Sequence, residues 1–120
     1  MNTDLPKTGR FKKNEHIKRS AEIQKLFKKG KKVCISGAKL FYLQNEKDFN
    51  RIGFPLPRGY GNAVERNASR RYSREIYRFF KSQLSTGFDM LFFVYPGNDS
   101  FLLRRGQFEL LCKKAGLLKK

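Results

Sequence analysis

The chain has 120 residues, 27 of them Lys or Arg against 10 Asp or Glu, for a formal net charge of +17. A chain of this length builds one domain around one core, too small to divide binding and catalysis between separate modules. Its charge calls for a polyanionic partner, while 39% hydrophobic and 14% aromatic residues supply the core that a disordered basic tail lacks.

Residues 1–16 are polar and basic, broken by Pro6 and Gly9, and are expected to form a flexible arm anchored by Phe11, with the domain proper over 17–120. Ser20 predicts the N-cap of a helix through Lys29, with Glu22 in its first turn, Lys28 and Lys29 in its last, and Gly30 just beyond. Ile23, Leu26 and Phe27 form its apolar stripe. Three strands are predicted next, Val33–Ser36, Lys39–Gln44 and Arg51–Leu56, separated by Gly37 and the polar turn Asn45–Asn50. Pro55 and Pro57 close the third, because proline cannot donate to a ladder.

Asn62 with Glu65 three residues on is a capping box, which starts a helix that runs to about Gln83, before Gly87. At ~100° per residue, Arg66, Arg70, Arg74 and Arg78 form a row with Arg71 and Asn67 beside it, and Ala68, Tyr72, Ile76, Phe79 and Phe80 are expected on the opposite, core face. Phe88–Tyr95 reads as a central strand covered on both faces. A last helix between Ser100 and Ala115 places Phe108, Leu111, Cys112 and Ala115 on one stripe, stopped by Gly116.

The arginine row is too rich for a face of solvated ion pairs, since its five arginines meet only Glu65 and Glu75 on the same helix. Unpaired arginines four residues apart repel one another unless an anion lies alongside, and the planar guanidinium suits phosphate oxygens. Nucleic acid is the expected partner. No zinc-finger spacing, leucine heptad or helix-turn-helix pair points to sequence-specific DNA, whereas a basic helix beside strands carrying Phe41 and Tyr42 suits structured RNA with a stacked single strand.

Protein-borne acid–base chemistry is not expected, because the one histidine, His16, cannot complete a His-based triad or a His-rich metal site. Cys34 and Cys112 form no C-x-x-C pair and sit among apolar neighbours, so they read as buried free thiols of a reducing compartment. The longest apolar run, Met90–Tyr95, is far short of the ~18 residues of a membrane span, and no apolar stretch follows the basic residues of Met1–Lys13 as a secretory signal requires. A cytoplasmic protein with no membrane partner is expected.

The run Gly61-Asn62-Ala63-Val64-Glu65-Arg66-Asn67, continued through Arg70-Arg71 to Arg74-Glu75, resembles the signature helix of the bacterial ribonuclease P protein family. Ile17–Gly30 is similar to that family's first helix, Arg51-Ile52-Gly53 to the start of its third strand, and Gly87-Phe88-Asp89 to its fourth. The resemblance implies an α+β sandwich, a four-stranded mixed sheet with three helices and a left-handed βαβ crossover, a fold type shared with a ribosomal protein domain. It also implies the protein subunit of a ribonucleoprotein endonuclease that removes the 5′ leader of precursor tRNA. Catalysis then belongs to the RNA subunit, with Mg²⁺ bound mainly by that RNA and the substrate, and the partners are the catalytic RNA and precursor tRNA.

Carried over by position, Arg58, Asn62, Arg66, Asn67, Arg70, Arg71 and Arg74 would contact the catalytic RNA, and Ile23, Phe27 and Phe41 would wall the leader cleft. The chain departs from the family pattern in several places. Ala68 stands for a usual arginine, Ile23 for a usual aromatic, Pro55-Leu56-Pro57-Arg58-Gly59 for a more basic loop, and Tyr95-Pro96 breaks the usual strand end. A ribosomal or assembly protein that binds structured RNA without cleavage is the alternative.

Overall fold

The computed structural model describes residues 11–97 and 100–119. In chain order the elements are α1 (Ser20–Lys29), β1 (Lys31–Ile35), β2 (Ala38–Gln44), β3 (Arg51–Gly53), α2 (Ala63–Phe80), β4 (Phe88–Val94) and α3 (Phe101–Ala115). Strand order is β1-β2-β4-β3, antiparallel except for the parallel β3–β4 pair, which α2 connects. This is the expected four-stranded mixed sheet with three helices.

Alternation along the strands sorts the layers. Ala38 and Leu40 of β2, with Met90, Phe92 and Val94 of β4, pack against Ile76, Tyr77 and Phe80 of α2 and Phe108, Leu111 and Cys112 of α3. Phe41 and Leu91 turn to the other face, where Leu26 of α1 closes over them beside Ile17, Ile23 and Phe27. Because β4 is covered on both faces, its sequence is a nearly continuous apolar run.

Several local expectations are corrected. The third strand ends at Gly53, not Leu56, and from Phe54 the chain turns away toward α2. At that edge the Ile17 amide donates to the Ile52 carbonyl at 3.0 Å, and His16 pairs with Ile52 in a parallel bridge. The approach is so close that a Cβ on Gly53 would lie 2.7 Å from the Ile17 carbonyl oxygen. Ser20 is the first helical residue, with Arg19 in the capping position and no side-chain capping bond.

The inner end of the basic arm is part of the domain. Lys13–Glu15 forms a 3-10 turn whose Glu15 is buried and pairs with Lys81 at 2.8 Å. Phe11 stacks on His16 at 3.7 Å between ring centroids and also meets Phe54 and Tyr77. Residues 11–16, expected to be part of the arm, therefore pack on the domain, because one apolar ring and one buried carboxylate tie the segment down; residues 1–10 lie outside the described residues. Cys112 is buried as expected but Cys34 is exposed, since it lies on the outward face of edge strand β1. Burial and the nearby Glu109 push the Cys112 thiol up to about 12, so it packs as an inert apolar group. Among the described residues no helix is long and apolar enough to cross a membrane.

Candidate nucleic-acid interface

The start of α2 is set by reciprocal capping: Asn62 Oδ1 accepts from the Glu65 amide at 2.9 Å, and Glu65 Oε1 accepts from the Asn62 amide at 2.9 Å. The buried positions of α2 are Ser69, Ser73, Ile76, Tyr77 and Phe80. Ala68, Tyr72 and Phe79, expected in the core, are only half-buried. The cause is Arg104 of α3, 2% exposed, which donates to the Ser69 carbonyl and the Ser73 hydroxyl, both at 3.0 Å, and to the Tyr60 hydroxyl at 3.4 Å. A buried guanidinium needs hydrogen-bond acceptors, so the small polar serines turn inward to meet it.

That rotation moves the arginine row. Arg66, Arg70 and Arg74 run along the border of the buried stripe and are half-buried, instead of facing away from the core. Arg66 Nη1 donates to the Pro57 carbonyl at 3.2 Å and Arg70 Nε to the Phe54 carbonyl at 3.4 Å, so the loop after β3 props the row. A guanidinium has five N–H donors, so these single bonds leave most of each group's capacity unused. Arg58, Asn62, Asn67 and Arg71 are exposed. Arg78 pairs with Glu75 at 3.2 Å, whereas among the described residues none of Arg66, Arg70, Arg71 and Arg74 pairs with a carboxylate.

Arg70 and Arg74 line a groove of about 300 Å³ together with His16, Lys18, Ile23 and Pro55. The groove wraps the β3 edge of the sheet, with α1 on one side and α2 on the other. Two predicted sets, the arginines and the apolar wall, therefore meet in one place through Ile23. Phe27 lies apart, its ring edge-on to Phe41 at 4.8 Å and to Phe93 at 6.2 Å. Phe41, expected on the cleft wall, is 9% exposed, and its ring serves as the floor beneath Phe27.

Further along the same face, Phe93 meets Tyr95 at 5.1 Å and the Lys39 ammonium sits 5.4 Å from the Tyr95 ring centroid. Tyr95 is 39% exposed. Lys39, Phe93 and Tyr95 were not among the predicted site residues. Their signal is the period of two along β4, which sets Leu91, Phe93 and Tyr95 on the face that α1 partly covers.

An ion cluster fixes α1 to this face. Arg51 binds Asp89 through Nε at 2.9 Å and Nη2 at 2.6 Å, and reaches Glu22 of α1 through Nη1 at 3.0 Å. Asn45 Nδ2 adds a bond to Asp89 at 2.9 Å. Burial pushes the Asp89 carboxyl up, but the hydrogen bonds from Arg51 and Asn45 and the charges of Arg51 and Lys47 outweigh it and hold the group below its ordinary value. Among the described residues no three His, Cys, Asp or Glu side chains converge on a place that could hold a metal ion.

The family model described as Ribonuclease P matches residues 11–116, starting at the phenylalanine that stacks on His16. The chain is 42% identical over 86 residues to the ribonuclease P protein component of Borrelia duttonii, covering 71% of this chain and 75% of that one. It is 31% identical over 114 residues to that of Dictyoglomus turgidum, covering 92% and 96%. A mutant of the Staphylococcus aureus RNase P protein superposes with a TM-score of 0.80 at 27% identity, covering 88% of this chain and 92% of that one. The Thermotoga maritima RNase P protein gives 0.75 at 25% identity, covering 83% and 96%.

Proposed function

From the fact that this chain belongs to the ribonuclease P protein family, we propose that it is the protein subunit of a ribonuclease P holoenzyme, assisting endonucleolytic removal of the 5′ leader from precursor tRNA. The catalytic RNA docks on the α2 arginines, with Arg58, Asn62, Arg66, Asn67, Arg70, Arg71 and Arg74 as its contacts. The leader crosses the groove at Ile23 and continues over Phe27, Phe93 and Tyr95. The observation that carries the reading is the arginine row: among the described residues Arg66, Arg70, Arg71 and Arg74 have no carboxylate partner, and Arg70 and Arg74 line the groove that α1 flanks.

In this arrangement the chain's work is electrostatic and positional. Guanidinium groups neutralise phosphates that would otherwise repel as leader and catalytic RNA approach, releasing counterions. Exposed rings offer base-stacking surface without sequence preference. Holding the leader in a fixed register keeps the scissile bond oriented relative to the RNA active site. Mg²⁺ in this reading stays with the RNA and the substrate.

Reconstitution with the catalytic RNA of a related bacterium, followed by precursor cleavage at low Mg²⁺, tests it. The expected result is cleavage that depends on both components. Binding of the RNA without activation would favour a ribosomal or assembly role, and cleavage without RNA would overturn the assignment of catalysis to the RNA.

A further inference from the structure

We propose that the groove at the β3 edge seats a backbone phosphate of bound single-stranded RNA between Lys18, Arg70 and Arg74, and that His16 takes up a proton when it does. The inference rests on the reading of this chain as a leader-binding subunit.

The geometry has three parts. The groove gathers Lys18, Arg70 and Arg74 around an apolar floor of Ile23, Ile52 and Pro55, and among the described residues no carboxylate lines it. Such a site attracts an anion that carries an apolar or aromatic body, as a nucleotide does. His16 forms part of the wall and is held there twice, by its backbone pairing with Ile52 and by its ring stack on Phe11 at 3.7 Å. It cannot swing away from an incoming charge.

The charges facing His16 are mostly positive. From α2 come Arg70 and Arg74, and from its own segment Lys18. A second groove behind it brings Lys13, Arg19, Lys47 and Arg51, with Glu22 the one carboxylate among the described residues there, already bound to Arg51. Glu15, on the preceding turn, has its Oε2 on Lys81. Burial holds the imidazole below its ordinary value, Lys18 and Arg74 push the same way, and the hydrogen bond to the Phe11 backbone and the charge of Glu15 oppose them.

A phosphate on Lys18 and Arg74 cancels their repulsion and adds an attraction of its own. The bound-state midpoint of His16 therefore lies above the free-state one. A group whose pKa is raised by binding strengthens binding fully below its free midpoint, and the gain is lost as pH rises through its bound midpoint. A rise of about one unit corresponds to about tenfold tighter binding of RNA by the protonated form.

His16 is the single histidine of the chain, so its ring proton resonances report the site without ambiguity. The experiment titrates them by NMR in the full chain, alone, with a short single-stranded RNA oligonucleotide, and with inorganic phosphate at matched phosphate concentration. The expected result is a midpoint below the ordinary value of ~6.5 in the free protein that rises by about one unit with RNA and much less with inorganic phosphate. His16→Gln should lose the strengthening of RNA binding on acidification that the native chain shows.

RNA binding that leaves the His16 midpoint unmoved, or lowers it, overturns the pocket while the ribonuclease P reading stands. An equal shift with inorganic phosphate reduces the pocket to a general anion site and overturns the RNA assignment. Failure of the oligonucleotide to bind the chain overturns the pocket, while the ribonuclease P reading stands or falls by reconstituted precursor cleavage.

Discussion

Arg70 and Arg74 owe their place to a residue they never touch. Had α2 packed with an apolar face alone, the row would point into open solvent; because Arg104 draws Ser69 and Ser73 inward, the row sits at the mouth of the groove. Arg70→Ala or Arg74→Ala is expected to weaken binding of the catalytic RNA by about 1–3 kcal/mol, the worth of a charge-assisted contact. Equilibrium binding with matched circular dichroism checks it, and unchanged affinity in both variants would return the row to a solvated face. Tyr77 offers a contrasting case: its hydroxyl is buried with no hydrogen-bond partner among the described residues, and burial raises its pKa. Tyr77→Phe should leave stability unchanged or raise it by up to about 1 kcal/mol, read by urea denaturation, because the lost group had no bond to give up. The arginine spacing was legible in sequence because i, i+4 neighbours are a local matter. The inward serines were not, since their partner lies more than thirty residues away on α3.

At the scale of elements, two devices set the interface: the capping box that starts α2 and the ion cluster that seats α1. The box was readable from Asn62 and Glu65 alone, and Asn62→Ala should cost about 1 kcal/mol of stability by thermal or chemical unfolding. The ion cluster was not readable, because Glu22, Arg51 and Asp89 come from three elements that only the fold brings together. It carries a pH signature. Since the folded-state pKa of Asp89 is depressed, its contribution is present above the ordinary carboxylate range near ~4 and is lost as pH falls through the depressed value. Urea titrations at successively lower pH should show this acid loss, and Asp89→Asn, less stable at neutral pH, should show less of it. Equal acid sensitivity in both would move the cause to another carboxylate.

For the whole molecule, the two-faced burial of β4 and the division into helices and strands were legible from hydrophobic pattern and turn residues, whereas the mixed four-stranded sheet was implied only by the family resemblance and its strand order was not read at all. Pattern picked out Phe11 as the anchor of the segment before α1, but Glu15 and His16 look like a polar arm until Lys81 and Ile52 are brought beside them. The charge of +17 then resolves into surfaces, and affinity for the catalytic RNA should fall steeply with salt. With about five phosphates engaged, the log–log slope should be on the order of −4, and a nearly flat dependence would refute the electrostatic account.

The backbone bond from Ile17 to Ile52 joins the segment before α1 to edge strand β3, next to the groove. A seam of this kind opens by local fraying, while the β2–β4 ladder at the centre releases its amides only in global unfolding. Amide hydrogen exchange at Ile17 should therefore be fast in the free protein and slow when RNA lies across the groove. That makes the seam a clock for how long the leader stays in place.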